Sequence, residues 1–266
     1  MSGGSLLFAA YTALLLLLLV VPSSCSQTAS NDNSDCTSSC GNINISSPFR
    51  LKGDSKHCGV SDNYNSLELS CEAKGNGTTH HAVLSLLSGK YYVQAINYNN
   101  FTIRLVDVGV HKIKDNYFSH PLYSFTPFKF FNGSGPHYDP IESSMSIIFL
   151  SCENPMNPSD LIVETAPCIN YSSFSNLTKY SYFIKFLSDS PLRLNNLGDS
   201  CKITLMAMVS PSTEEHMTSC KGIYNEIAHG FQLSWLDYAC EVQCYRSGEG
   251  CRLNSTGNGI QCFVPG

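Results

Sequence analysis

The groups able to do chemistry in this 266-residue chain are its thiols, its histidines and a few adjacent acids. Cys36-x3-Cys40 and Cys240-x3-Cys244 pair thiols closely enough to suggest zinc, but neither has a matching cysteine or histidine pair at finger spacing. Glu214-Glu215-His216 offers acids beside a base, and the preceding Pro211-Ser212-Thr213 marks the stretch as a solvated loop. His80-His81 would hold a metal only with ligands from elsewhere, because neighbours in a strand point to opposite faces. There is no G-x-S-x-G and no H-E-x-x-H. A kinase would need a glycine-rich phosphate loop, V-A-I-K, H-R-D and D-F-G, and none is present. Paired carboxylates for glycoside chemistry are positioned by fold rather than by spacing. The expectation is a protein that is not an enzyme and carries no metal or cofactor.

Disulfide chemistry fits the thiols better. Cys25 falls in an N-terminal leader, which leaves Cys36, Cys40, Cys58, Cys71, Cys152, Cys168, Cys201, Cys220, Cys240, Cys244, Cys251 and Cys262. That count is even, as expected for an oxidised exported chain. Each bridge is worth about 2–4 kcal/mol through restriction of the unfolded state. Spacing alone leaves the pairing open. Residues 6–21 are almost continuously apolar, Pro22 ends the run, and Ser24 and Ser26 suit cleavage after residue 26. Residues 1–26 therefore read as a signal peptide and 27–35 as a flexible polar lead-in. Seven N-x-S/T triplets, at Asn44, Asn76, Asn100, Asn132, Asn170, Asn176 and Asn254, agree with export and glycosylation. No second apolar span or hydrophobic tail follows Cys262, so the expected product is secreted and untethered.

The elements that must hold these residues are mostly strands. Short apolar runs separated by Gly, Asn, Ser and Pro, with little sustained helical spacing, define a mostly β chain. Residues 82–87, 91–97 and 101–108 predict an antiparallel meander, with Ile103 and Leu105 on one face and Thr102 and Arg104 on the other. The Phe125, Phe128, Phe130 and Phe131 group predicts core packing. Phe231, Leu233 and Trp235 alternate as one face of a strand, residues 221–229 read as a short helix, and 240–262 as a loop-rich, disulfide-stapled cap.

The order Cys36-x3-Cys40-Gly41, Ile45-x2-Pro48-Phe49, Cys58-Gly59, Leu67-x-Leu69-x-Cys71, Tyr91-Tyr92-Val93 and Thr102-Ile-Arg104-Leu-Val-Asp107 resembles the galacturonan-binding module of plant wall-associated receptor kinases. The variety it resembles occurs in leaf-rust-resistance-type receptor-like kinases and in some RING-type membrane ubiquitin ligases. Gly230-Phe231-x-Leu233-x-Trp235, Cys240-x3-Cys244 and Ser247-Gly248-x-Gly250-Cys251 are similar to the C-terminal module of those ectodomains. Three positions depart from the pattern: Ser47 precedes Pro48-Phe49 where the family has Tyr, Glu249 stands where its Ser-Gly-Gly-x-Cys-Gly has the second Gly, and Arg252 follows Cys251 where it has Gly. The resemblance implies two disulfide-rich extracellular modules, one over 36–108 and one over 152–262, joined by a β-rich segment over 109–151. Relatives of this kind are single-pass plasma-membrane proteins.

It also implies a ligand, pectic polysaccharide. A galacturonan is a polyanion of sugar rings, so recognition calls for cationic donors at its carboxylates and aromatic faces against its rings. Arg50, Lys52, Lys56 and His57 cluster between Phe49 and Cys58, while Lys90 and Arg104 lie near Tyr91 and Tyr92. These eight are the expected ligand-binding residues. Between residues 36 and 150, nine Lys/Arg meet eight Asp/Glu and six of the eight histidines are found, whereas from 151 onward seven basic residues meet eleven acidic ones. Acidic surroundings would add positive charge to the histidine-rich half. The alternative is a protein- or peptide-binding ectodomain, with another receptor ectodomain as partner. Nucleic acid is excluded as a partner by export and by a formal net charge of −5.

Overall fold

The computed structural model describes residues 36–59, 67–74, 79–112, 119–125, 138–157, 159, 161–165, 168, 180–186, 200–211, 217–245, 248–257 and 259–264. The fold starts with a hairpin of β1 (Ser38–Cys40) and β2 (Ile43–Ile45), in which Cys40 lies opposite Ile43. Gly41 turns it with φ of +60°, the sign a type II′ turn needs at its first central residue. A side chain there would also collide, since a Cβ would come within 2.4 Å of the His80 carbonyl oxygen.

The first sheet is built from β3 (Arg50–Leu51), β4 (Glu68–Lys74), β5 (Thr79–Leu86), β6 (Gly89–Asn97) and β7 (Thr102–Asp107), with β8 (Asp139–Pro140) and β13 (Phe231–Ser234) joining from later in the chain. Its order is β3-β4-β5-β6-β7-β13-β8. The β3–β4 contact is parallel and the others antiparallel. The predicted meander is present as β5, β6 and β7. At the tip between β6 and β7, the Asn97 side chain accepts from the backbone N–H groups of Asn99 and Asn100, the local bonding that makes Asn a turn residue. Leu69, Leu84, Ile103, Leu105 and Leu233 have no more than 0 % exposure on the inner face. Trp235 closes that core: its ring meets Phe101 at 4.7 Å, Phe49 at 5.6 Å and Tyr98 at 6.2 Å, all edge-on.

The second sheet comprises β9 (Met145–Cys152), β10 (Ile162–Glu164), β11 (Tyr180–Phe186) and β12 (Cys201–Val209), in the order β10-β11-β9-β12. Its central strand β9 is buried on both faces, which explains its unbroken apolar run. Helix α1 (Cys220–His229) begins at Ser219, whose hydroxyl accepts the Gly222 N–H, and ends at Gly230 with φ of +88°. A Cβ on Gly230 would fall 2.1 Å from the Leu105 carbonyl oxygen, so the chain can leave the helix and enter β13 only as glycine. Ile223, Tyr224 and Ile227 of α1 share a core with Phe149 and Phe183 of the second sheet and Val106 of β7.

The C-terminal segment is the expected disulfide-stapled cap, with more regular structure than a loop-rich reading implies. It holds helix α2 (Leu236–Gln243) and a hairpin of β14 (Gly250–Leu253) and β15 (Ile260–Phe263). β13 stops at Ser234, and Trp235 takes the position before α2 instead of extending the strand. One helical turn separates Cys240 from Cys244, and they bond to Cys251 and Cys262 in the hairpin. The other bridges are Cys36–Cys58, Cys40–Cys71, Cys152–Cys201 and Cys168–Cys220. Phe125 lies in the first core, while Phe128, Phe130 and Phe131 lie outside the described residues. No described helix is long and apolar enough to cross a membrane.

His120 carries a pH consequence. Its Nδ1 is 3.1 Å from the Tyr224 hydroxyl, its ring packs 5.6 Å from Phe149, and burial pulls its pKa below the ordinary histidine value. The folded chain thus keeps His120 neutral where the unfolded chain protonates it. Stability is full above about pH 6.5 and declines as pH falls toward the lowered folded-state value. Thermal melts from neutral pH to about pH 5 should show this decline, and His120→Asn should flatten it. An unchanged slope in that variant would assign the pH dependence to other groups.

Candidate functional site

Three of the eight expected ligand-binding residues stand in solvent on one loop. Lys52, Lys56 and His57 are exposed between β3 and β4, on a segment tied down by Cys36–Cys58. The Ser55 hydroxyl lies 2.6 Å from His57 Nδ1. Asp54 shapes the loop by accepting from the Ser38 hydroxyl at 2.6 Å and the Leu51 N–H at 2.9 Å.

Arg50 begins the same stretch but points into the molecule. It is 7 % exposed and ion-paired with Glu68, its parallel neighbour on β4. Gly59 lies against its aliphatic stem, where a Cβ would come within 2.8 Å of the Arg50 Cβ. Tyr91 is in the first core, 2 % exposed, with its ring edge-on to Phe125 and Phe231. Burial, reinforced by the Asp107 carboxylate, pushes its phenol far above the usual range. Arg104 is half-buried on the same face of β7 as Val106 and donates to Gln232 Oε1 at 3.0 Å. Burial lowers its pKa, and the Glu226 carboxylate of α1 partly offsets that. These three side chains hold strands and helix together.

The outer face of β4, β5 and β6 brings the remaining two near other polar groups. Lys90 is exposed and donates to Glu72 Oε1 at 2.8 Å, while Ser70 donates to the same oxygen at 3.0 Å. The Lys90 hydrogen bond holds the Glu72 carboxyl below its ordinary pKa despite some burial. Tyr92 is half-buried with its ring 4.9 Å from that of His81. The eight residues thus divide among a loop, a sheet face and the interior.

Sequence reasoning weighed His80 and His81 as a metal pair only. Both line an open groove at the sheet end, walled by Ser39, Gly41 and Asn42 of the first hairpin and floored by Cys40 and Cys71. A second groove along the hairpin is lined by Thr37, Ser38, Ser39, Asn44, Ile45 and Ser46.

Other candidate chemistry fares differently. Cys36, His57 and Cys58 are the one group of potential metal ligands drawn together among the described residues, and both sulfurs are consumed by the Cys36–Cys58 bond. Asp139 and Asp237 share a hydrogen bond; burial, then the Asp237 charge, raises the Asp139 pKa. Glu214, Glu215 and His216 lie outside the described residues. Among the sequons, Asn44 and Asn100 are exposed and Asn254 is half-buried; Asn76, Asn132, Asn170 and Asn176 lie outside the described residues.

Residues 36–107 match the family model for wall-associated receptor kinase galacturonan-binding domains. The matched segment runs from the first bridged cysteine to Asp107, the last residue of β7. Over that segment the chain is similar to a binding module of that type, and the Cys36–Cys58 and Cys40–Cys71 bridges within it are of the kind that form in an oxidising setting. No curated protein matches the chain, and no solved structure does.

Proposed function

We propose that the chain is a secreted, non-catalytic protein that binds de-esterified galacturonan through the module at 36–107. The family match over that segment carries the reading. The exposed Lys52, Lys56 and His57 on a disulfide-tethered loop supply cationic donors at its surface. Residues 1–26 act as the signal peptide, and 152–262 as the C-terminal module of the same kind of ectodomain. A protein- or peptide-binding ectodomain is the second reading, favoured by the cap, where Tyr245, Phe263 and Val264 are exposed.

Retention of the oxidised protein on immobilised polygalacturonate, against fully methyl-esterified pectin, tests the proposal. The expected result is retention on the acid polymer alone, with its length unchanged. Equal retention on both would remove the carboxylates from recognition, and shortening of the polymer would make the protein an enzyme.

A further inference from the structure

We propose that the outward face of the C-terminal hairpin is a second uronate-binding subsite, with Arg252 taking the sugar carboxylate and Phe263 lying against the sugar ring. This rests on the galacturonan reading above and adds to it a contact outside residues 36–107.

Strand register defines the face. Gly250 pairs with Phe263 and Arg252 with Gln261, so these four positions share one side of β14 and β15. Cys251 and Cys262 alternate to the other side, where they bond to Cys240 and Cys244. Burial follows the alternation: Arg252, Gln261 and Phe263 are exposed, while Cys251, Ile260 and Cys262 are half-buried.

The face is held to shape. The Phe263 ring leans over Gly250, where a Cβ would come within 2.6 Å of the ring tip. A glycine at this position gives the ring of the facing strand a backbone seat. The residue remains 40 % exposed, and the Arg252 guanidinium lies 5.5 Å from the ring centroid, within cation–π reach. The two bridges anchor the hairpin from behind, so binding has little left to order.

Charge and ring chemistry select the occupant. Arg252 belongs to neither of the two ion pairs formed among the described residues, Arg50–Glu68 and Lys90–Glu72. An exposed guanidinium presents a planar fork of donors to a carboxylate. One galacturonate unit offers that carboxylate, an apolar ring face for Phe263 and hydroxyls for the Gln261 amide. A neutral sugar or an apolar peptide would leave the guanidinium unused. In the ectodomains that the C-terminal motif resembles, Gly stands where this chain has Arg252, so the contact belongs to this chain rather than to that kind of module. A polymer that repeats its carboxylate can meet the exposed loop residues Lys52, Lys56 and His57 as well as Arg252, and two linked contacts hold more tightly than either alone.

The test is binding of fluorescent polygalacturonate oligomers to the oxidised full chain, to Arg252→Gln and to Phe263→Ser, through a salt series. Arg252→Gln should weaken binding at low salt roughly tenfold, the scale of one charge-assisted hydrogen bond, and should make the remaining affinity less sensitive to salt. Phe263→Ser should cost about threefold and leave the salt sensitivity as it is. Both side chains are exposed, so peptide mapping should find the Cys240–Cys251 and Cys244–Cys262 bridges formed in each variant. Wild-type affinity in either variant, or a loss in Arg252→Gln with unaltered salt sensitivity, would overturn the subsite. Galacturonan binding through residues 36–107 would then stand, and the cap would return to a protein partner. Absence of binding by wild type would overturn the function and the subsite together.

Discussion

Trp235→Ala should lower the unfolding free energy by about 3–5 kcal/mol, the usual cost of emptying a buried aromatic site. The indole is 4 % exposed and meets Phe49, Tyr98 and Phe101. Those three rings come from the segment that matches the galacturonan-binding family, whereas Trp235 lies 128 residues beyond its end, by the difference between positions 235 and 107. Phe231 and Leu233 reach the same core from β13. The matched segment therefore completes its core with side chains from elsewhere in the chain. A fall in Tm of roughly 10 °C is the expected readout, at about 2–4 °C per kcal/mol for a chain of this size. Trp235→Phe should cost much less, because the indole N–H has no hydrogen-bond partner among the described residues to lose. If the alanine variant melts like wild type, the core does not depend on this contribution.

Arg50→Ser should act on stability, not on recognition. Removing the guanidinium strands the Glu68 carboxylate, which is 21 % exposed, beside a buried stem-sized gap. The expected loss is about 3 kcal/mol, at the low end for a broken buried pair because Glu68 keeps some water. Replacing both partners, Arg50→Met with Glu68→Leu, should recover most of it, since a packed apolar pair leaves no charge unpaired. Chemical denaturation of the three proteins decides the matter. Polygalacturonate retention should be unchanged in Arg50→Ser at temperatures where it is folded. Lost binding in a fully folded Arg50→Ser protein would return Arg50 to the ligand-contacting set.

The difference between these two residues shows what a sequence conceals. The β5–β6–β7 meander was legible because alternation and Asn- and Ser-rich turns are local signals, and Ile103 and Leu105 face inward as the pattern requires. The pairing of β13 with β7 joins residues 102–105 to 231–234, and no local pattern encodes a partner so distant. Helix α2 was hidden because Cys240-x3-Cys244 suits a stapled loop as well as one face of a helix. Arg50 looked like a surface cation beside Lys52 and Lys56, because the parallel β3–β4 contact that brings in Glu68 is a tertiary feature. Lys90 and Glu72 likewise meet across β5. Charged side chains announce their type in sequence, but not which of them the fold will consume.

The account rests on recognition of a polyanion, and salt tests that most directly. Retention of the oxidised wild-type protein on de-esterified polygalacturonate should be measured at about pH 5 through a rising salt series. Binding at low salt that weakens steadily toward high salt is the predicted result, as exposed charges are screened within about 8–10 Å at 0.1–0.15 M ionic strength. Failure to bind at low salt would contradict the account and leave the exposed aromatic cap, facing a protein partner, as the surface to pursue.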